Sequence, residues 1–121
     1  MILQGSEVTI IDNSGAIKAE CIKVLGNNKK VARIGDIIKV SIKKSKSHTK
    51  IKPGSIYKAL IVKTKYRHTR PDGTSISFKE NGGILLNDKL EVICTRIKRV
   101  ISKTITFKNI NKILSITKHA I

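Results

Sequence analysis

The sequence predicts a mainly β fold, a small barrel followed by short helices. Three observations predict it. Apolar runs are short and are broken by Gly, Asn and Asp turns. Several runs alternate apolar and polar residues with period two, the pitch of a strand with one wet face. Towards the C-terminus the spacing changes to that of a helix. Barrel closure also disposes of the strand edges that a short open sheet leaves exposed.

Glu7 to Ile11 reads as the first strand, stopped by Asp12-Asn13-Ser14-Gly15. Asp and Asn side chains bond their own backbone in such turns, and Gly takes the strained position. Ile17 to Leu25 is the second strand, ended by Gly26-Asn27-Asn28, with Lys29 and Lys30 charging the turn. Val31 to Ile34 is predicted as a short strand before the turn Gly35-Asp36. Ile38, Val40 and Ile42 alternate with Lys39, Ser41 and Lys43, giving one apolar and one cationic face. Lys44 to Lys52 is predicted to be a polar loop that orders on binding.

Tyr57 to Val62 is apolar, and Ser75 to Lys79 alternates again. Pro71-Asp72-Gly73 lies between them. Pro pre-sets position i+1 of a type I turn, and Gly accepts the φ > 0 position that follows. The reading is a β-hairpin. Around its tip stand Lys63, Lys65, Arg67, His68 and Arg70 against one acid, Asp72. Gly83 to Leu86 and Glu91 to Cys94 read as strands joined by Asn87-Asp88. Phe107, Ile110, Ile113 and Leu114 then fall at helical spacing, with Thr106 or Asn109 as N-caps. The readings are several short helices or one of roughly 10 to 12 residues. One domain, 1–121, is expected, with the helical segment from about residue 98 to 121.

The chain has 25 Lys and Arg against 8 acids, a formal charge of +17 and a pI of about 10.2. A compact domain so charged repels itself, which points to a polyanionic partner. Nucleic acid fits better than a membrane. No run approaches the roughly 20 apolar residues of a spanning helix, and the bases are not gathered on one amphipathic helix. Twenty of the bases are Lys, a point charge suited to phosphates rather than base edges. The only aromatics are Tyr57, Tyr66, Phe78 and Phe107, few for a binder that stacks single-stranded bases. Structured nucleic acid held by its backbone is the expectation.

No catalytic grouping is visible, so no enzyme, cofactor or metal is expected. Cys21 and Cys94 read as buried free thiols. His48, His68 and His119 lack ligand spacing. Residues 1–16 resemble neither a signal peptide nor a basic presequence, and the chain is expected to work where it is made or as a mature form. Two rivals stay open: a free binding module of the OB or cold-shock type, and a small basic nuclease using Asp12.

"DNSGA" at 12–16, "CIKVLG" at 21–26 and "GDIIKVSIK" at 35–43 resemble the bacterial-type large-subunit ribosomal protein fourteen family. So does the run from Ala59-Leu60-Ile61-Val62 through Arg70-Pro71-Asp72-Gly73 to Phe78 and Asn81. "LLN" at 85–87 and "TRI" at 95–97 follow in the family's order. The resemblance implies a closed five-stranded β-barrel with a projecting hairpin and short C-terminal helices. It implies a structural constituent of the large ribosomal subunit, bound to large-subunit rRNA at the subunit interface. Ribosomal proteins three and nineteen would be neighbours, with a bridge to small-subunit rRNA and a docking surface for a ribosome-silencing factor. Thr95, Arg96 and Lys112 would lie on that protein-facing surface.

Asn13, Ser14, Lys18, Lys23, Lys29, Lys30, Arg33, Lys44, Lys46, Lys50, Lys63, Lys65, Arg67, Arg70 and Arg99 are the expected rRNA contacts. The chain departs from the family where Cys94 replaces a Gly and Lys98-Arg99-Val100 replaces an aromatic, Gly and Pro. With 22 Ile and 20 Lys, both A/T-rich in their codons, this suggests an organelle-encoded protein of a mitochondrial ribosome. The alternative is the cytoplasm of a bacterium with an AT-rich genome.

Overall fold

Apolar alternation and glycine turns produce five strands that close on themselves. The computed structural model describes all residues except 27, 104, 106–109 and 118. The strands in chain order are β1 (Glu7–Ile10), β2 (Ala16–Val24), β3 (Ile37–Ser45) and β4 (Ile56–Lys63). A small ribbon follows, β5 (His68–Thr69) with β6 (Ser75–Ile76), and then β7 (Gly82–Leu86). The barrel order is β1-β2-β3-β4-β7. All neighbours are antiparallel except β1 and β7, which pair in parallel through Thr9 opposite Gly82 and Ile10 opposite Gly83. The predicted closed five-stranded barrel is therefore the observed one.

Closure explains Gly82 and Gly83. A Cβ at Gly82 would stand 2.6 Å from Lys63 Cγ, and one at Gly83 would stand 3.2 Å from the Leu60 carbonyl oxygen. The seam is too close for side chains.

Two cores result. Val8, Ala19, Cys21, Ile38, Val40, Ile42, Ala59, Ile61 and Leu85 fill the barrel. Leu60, Val62, Ile84 and Leu86 point out of it, into a second cluster with Val92, Cys94, Ile97, Ile101 and Ile113. That is why β4 and β7 are apolar without alternation: the C-terminal segment covers their outer faces. β4 and β7 each carry a run of five buried residues where the alternating β3 has three. The cover includes α1 (Ile110–Ile116), a single short helix of 7 residues. The expected caps Thr106 and Asn109, and Phe107, lie outside the described residues.

Four expectations are corrected. Residues 31–34 form no strand. Ala32 makes a lone bridge to Ile2, because the Arg33 N–H donates to Asp36 Oδ2 at 2.8 Å instead of to a ladder. Residues 91–94 form no strand either. Asn87 Oδ1 takes the N–H groups of Lys89 and Glu91, Leu90 adopts φ 63°, and only Val92 bridges back to Leu86. The hairpin is shorter than predicted. β4 pairs with β7, and the β5–β6 ribbon is an insertion between them. Its turn is as expected: Gly73 N–H donates to Arg70 O at 3.0 Å, with Gly73 at φ 89°. Finally, β3 runs through Lys44 to Ser45, so the polar loop starts later.

Candidate nucleic-acid interface

The turn after β1 is held by its own side chains. Asp12 is buried, and Oδ1 accepts from Ser14 N–H at 3.0 Å and Ser14 Oγ at 2.5 Å. Its Oδ2 accepts from Leu85 N–H at 3.0 Å, which ties the turn to β7. Asn13 Oδ1 accepts from the N–H groups of Thr95 and Arg96, and Asn13 Nδ2 donates to Thr95 Oγ1 at 2.8 Å. Asn13 thus organises the 95–96 segment. Its polar atoms and those of Ser14 are engaged within the protein.

Not every base near the hairpin is offered outward. Lys63 is 6% exposed. Its ammonium pairs with Glu80 at 2.7 Å and lies 5.9 Å from the Phe78 ring centre. Arg99 binds the same carboxylate oxygen. Burial works to raise the Glu80 pKa, but hydrogen bonds from Lys63 and Arg99, with their charges, hold it below the ordinary carboxylate range. Lys63 therefore fastens the root of the ribbon rather than presenting charge to solvent. The Arg70 guanidinium donates to the main-chain oxygen of Ile121, and Arg70 Nε is buried without a partner.

The outward charge collects in three places. Beside the ribbon root is a hollow of about 300 Å³ lined by Met1, Arg33, Thr64, Tyr66, Arg67 and His68. A second hollow continues from it, sharing Arg33 and His68 and adding Lys29 and Lys30. Asp36 pairs with Lys29 at 2.8 Å. Among the described residues, Lys30, Arg33 and Arg67 have no acidic partner. Burial, with the Arg33 charge, lowers the pKa of the Met1 amine beside them.

The outer wall of the barrel carries the second group. Lys23 stands opposite Lys39, and Lys39 opposite Lys58, a row of like charges across three strands. Like charges directly opposite destabilise a sheet. Lys18 stands opposite Lys44, but Lys18 is paired with Glu7 at 2.8 Å. Lys43 reaches Glu20 only at 3.8 Å. The hydrogen bond from Lys18 holds the exposed Glu7 below its ordinary pKa, aided by the charges of Lys18 and Lys65.

The third group is Lys46, Lys98 and Arg99 around one hollow against the 12–15 turn. Lys50 lies apart, lining a groove with His48, Ser14 and Thr95.

The chain matches the family of ribosomal protein L14p/L23e over residues 1–121. It belongs to that family. As an L14p/L23e protein it is a structural constituent of the large ribosomal subunit, from a family that is generally non-enzymatic.

For an L14p/L23e protein the basic groups fall into a free set and an engaged set. Lys23, Lys30, Arg33, Lys44, Lys50, Lys65 and Arg67 form no ion pair among the described residues, though the Lys65 charge acts on Glu7. Lys18, Lys29, Lys63 and Arg99 are ion-paired. Thr95 and Arg96 share a hollow with Ser115 and Thr117. Lys112 is exposed on α1, near enough to Cys94 for its charge to pull that thiol's pKa down. The first cause acting on Cys94 is burial, then the Asp12 charge, and together they push it up to about 12.

Sequence reasoning passed over Lys39, Lys58 and Lys98. The alternation of β3 already turned Lys39 outward. Lys58 needed the β3–β4 register, and Lys98 needed the C-terminal segment to be placed.

Proposed function

We propose that this L14p/L23e protein binds large-subunit rRNA by phosphate contacts spread over the ribbon-root hollow and the lysine row of the barrel wall. The observation that carries the reading is the concentration of unpaired bases there. Arg33 and Arg67 line one hollow and Lys30 the adjoining one that shares Arg33, and Lys23, Lys39 and Lys58 stand opposite one another in adjacent strands. A free protein gains nothing from either arrangement; a polyanion neutralises both. The whole chain acts as one rRNA-binding unit. The scaffold is rigid, so binding is charge neutralisation with counterion release, and no bond is made or broken.

The family resemblance supports a position at the subunit interface beside ribosomal proteins three and nineteen, with a bridge to small-subunit rRNA that supports translation. Thr95, Arg96 and Lys112 are proposed as the protein-facing side, the place for a silencing factor. The hydrogen bonds that the Thr95 and Arg96 N–H groups donate to Asn13 Oδ1, fixing residues 95–96, support this. The departures at Cys94 and Lys98-Arg99-Val100, taken with the Ile and Lys bias, support a mitochondrial ribosome in the matrix, the alternative being the cytoplasm of a bacterium with an AT-rich genome.

The test is sedimentation of tagged protein from its native lysate at low and high salt, wild type against Arg33→Glu/Arg67→Glu. Wild type should travel with the large subunit and resist moderate salt. The variant, correctly folded, should strip off at lower salt. Equal retention of the variant would remove the ribbon-root hollow from the interface. A wild type that stays at the top of the gradient would remove the ribosomal assignment of role.

A further inference from the structure

The 12–15 turn holds two lysines from distant parts of the chain against each other. Lys46 N–H donates to Gly15 O at 2.8 Å, and Lys98 N–H donates to Ile11 O at 3.0 Å. The turn's two ends therefore fix both backbones. Thr49 stands where a Cβ of Gly15 would be, and Gly15 has φ 109°. Only glycine lets the 46–49 loop pack this closely. The result is a hollow of about 150 Å³ lined by Asp12, Asn13, Gly15, Lys46, Lys98 and Arg99. The Lys46 ammonium beside it lowers the Lys98 pKa, and desolvation adds to this. The Asp12 charge opposes this only as the smallest of the causes. Asp12 spends its oxygens on Ser14 and Leu85, and Glu80 already holds Arg99 together with Lys63.

We infer that this hollow is an anion seat that takes one phosphate group between the Lys46 and Lys98 ammonium groups, with Arg99 at its edge. A phosphate oxygen placed between two ammonium groups turns their repulsion into two charge-assisted hydrogen bonds. The phosphate is a backbone phosphodiester of rRNA, an assignment that rests on the proposed function. A free phosphate ion has the same chemistry. The seat is separate from the ribbon-root hollow, with which it shares no residue. It also gives a role to Lys98-Arg99, the point at which the chain departs from its family's pattern.

Two arms test it on the full-length protein. Lys46 and Lys98 are exposed, so Lys46→Ala/Lys98→Ala should fold. In the first arm, inorganic phosphate is titrated at constant ionic strength and thermal unfolding is followed. Wild type should gain more in Tm than the double variant, since general salting effects act on both alike. In the second arm, affinity for a large-subunit rRNA fragment is measured against salt. The variant should bind several-fold more weakly, with a log–log slope smaller by about 0.7 to 0.9. Equal Tm gains together with equal slopes overturn the seat. A difference in the first arm alone leaves a free-phosphate site and overturns its rRNA assignment. A wild type that fails to bind the fragment sinks the proposed function, and the first arm still decides the seat.

Discussion

Asp12 shows how one side chain can do what a sequence reading assigns to a whole turn. Its two oxygens hold Ser14 on one side and the Leu85 amide on the other. The same carboxylate, with burial as the larger cause, keeps Cys94 protonated by pushing its pKa up to about 12. Burial raises the Cys21 pKa as well. Both cysteines are free and buried, as their apolar settings predicted. The thiolate is the reactive form, so neither thiol should react with a disulfide reagent in the native protein near pH 8, close to the free thiol's pKa of about 8.5. Both should titrate once the chain is unfolded in denaturant. Reaction of Cys94 in the native protein would show that the covering segment opens, and reaction of Cys21 would show that the barrel itself does.

The ribbon is the element whose reading changed most. Its turn chemistry was legible, because Pro71-Asp72-Gly73 acts through local backbone angles. Its length was not, because β4 had two possible partners and the better one, β7, buries Ile84 and Leu86. The ribbon root is fastened by Lys63, Glu80 and Arg99, and this makes it acid-sensitive. Glu80 titrates below its ordinary range in the folded protein. A depressed carboxyl contributes stability that is complete above the unfolded pKa, about 4.3, and is lost as pH falls through the folded value. Urea midpoints measured from neutral pH downward should fall in that acid window. Glu80→Gln should be less stable at neutral pH and should lose part of the acid dependence. Matching pH profiles for the two proteins would exclude Glu80 as a source of it.

On the scale of the molecule, the charge of +17 sets free stability against binding. The row of Lys23, Lys39 and Lys58 is the clearest case. Lys39→Glu puts an acid between two lysines and should stabilise the free protein by roughly 0.2 to 1 kcal/mol. The same change should weaken association with large-subunit rRNA and make its loss with salt less steep, since fewer phosphates are neutralised. Equilibrium unfolding and filter binding read the two effects separately. A variant that is more stable and binds as well as wild type would show that the row faces solvent in the ribosome.

The barrel was determined by the sequence through short-range physics. Alternation with period two chose the inner faces of β1 and β3, and Gly15, Gly35 and Gly73 took the φ > 0 turns that close successive strands. Composition by itself called for a polyanion. Only the tertiary structure decided which bases are free. Lys63 and Arg67 are neighbours in the same basic run, yet one is buried on Glu80 and the other is open, because β7 and the 98–103 segment cover only one side of β4. Lys46 and Lys98 meet only because two ends of one turn hold them. Local patterning fixes conformation residue by residue. Pairing between distant charges depends on which strands close the barrel and on what packs over its outer wall.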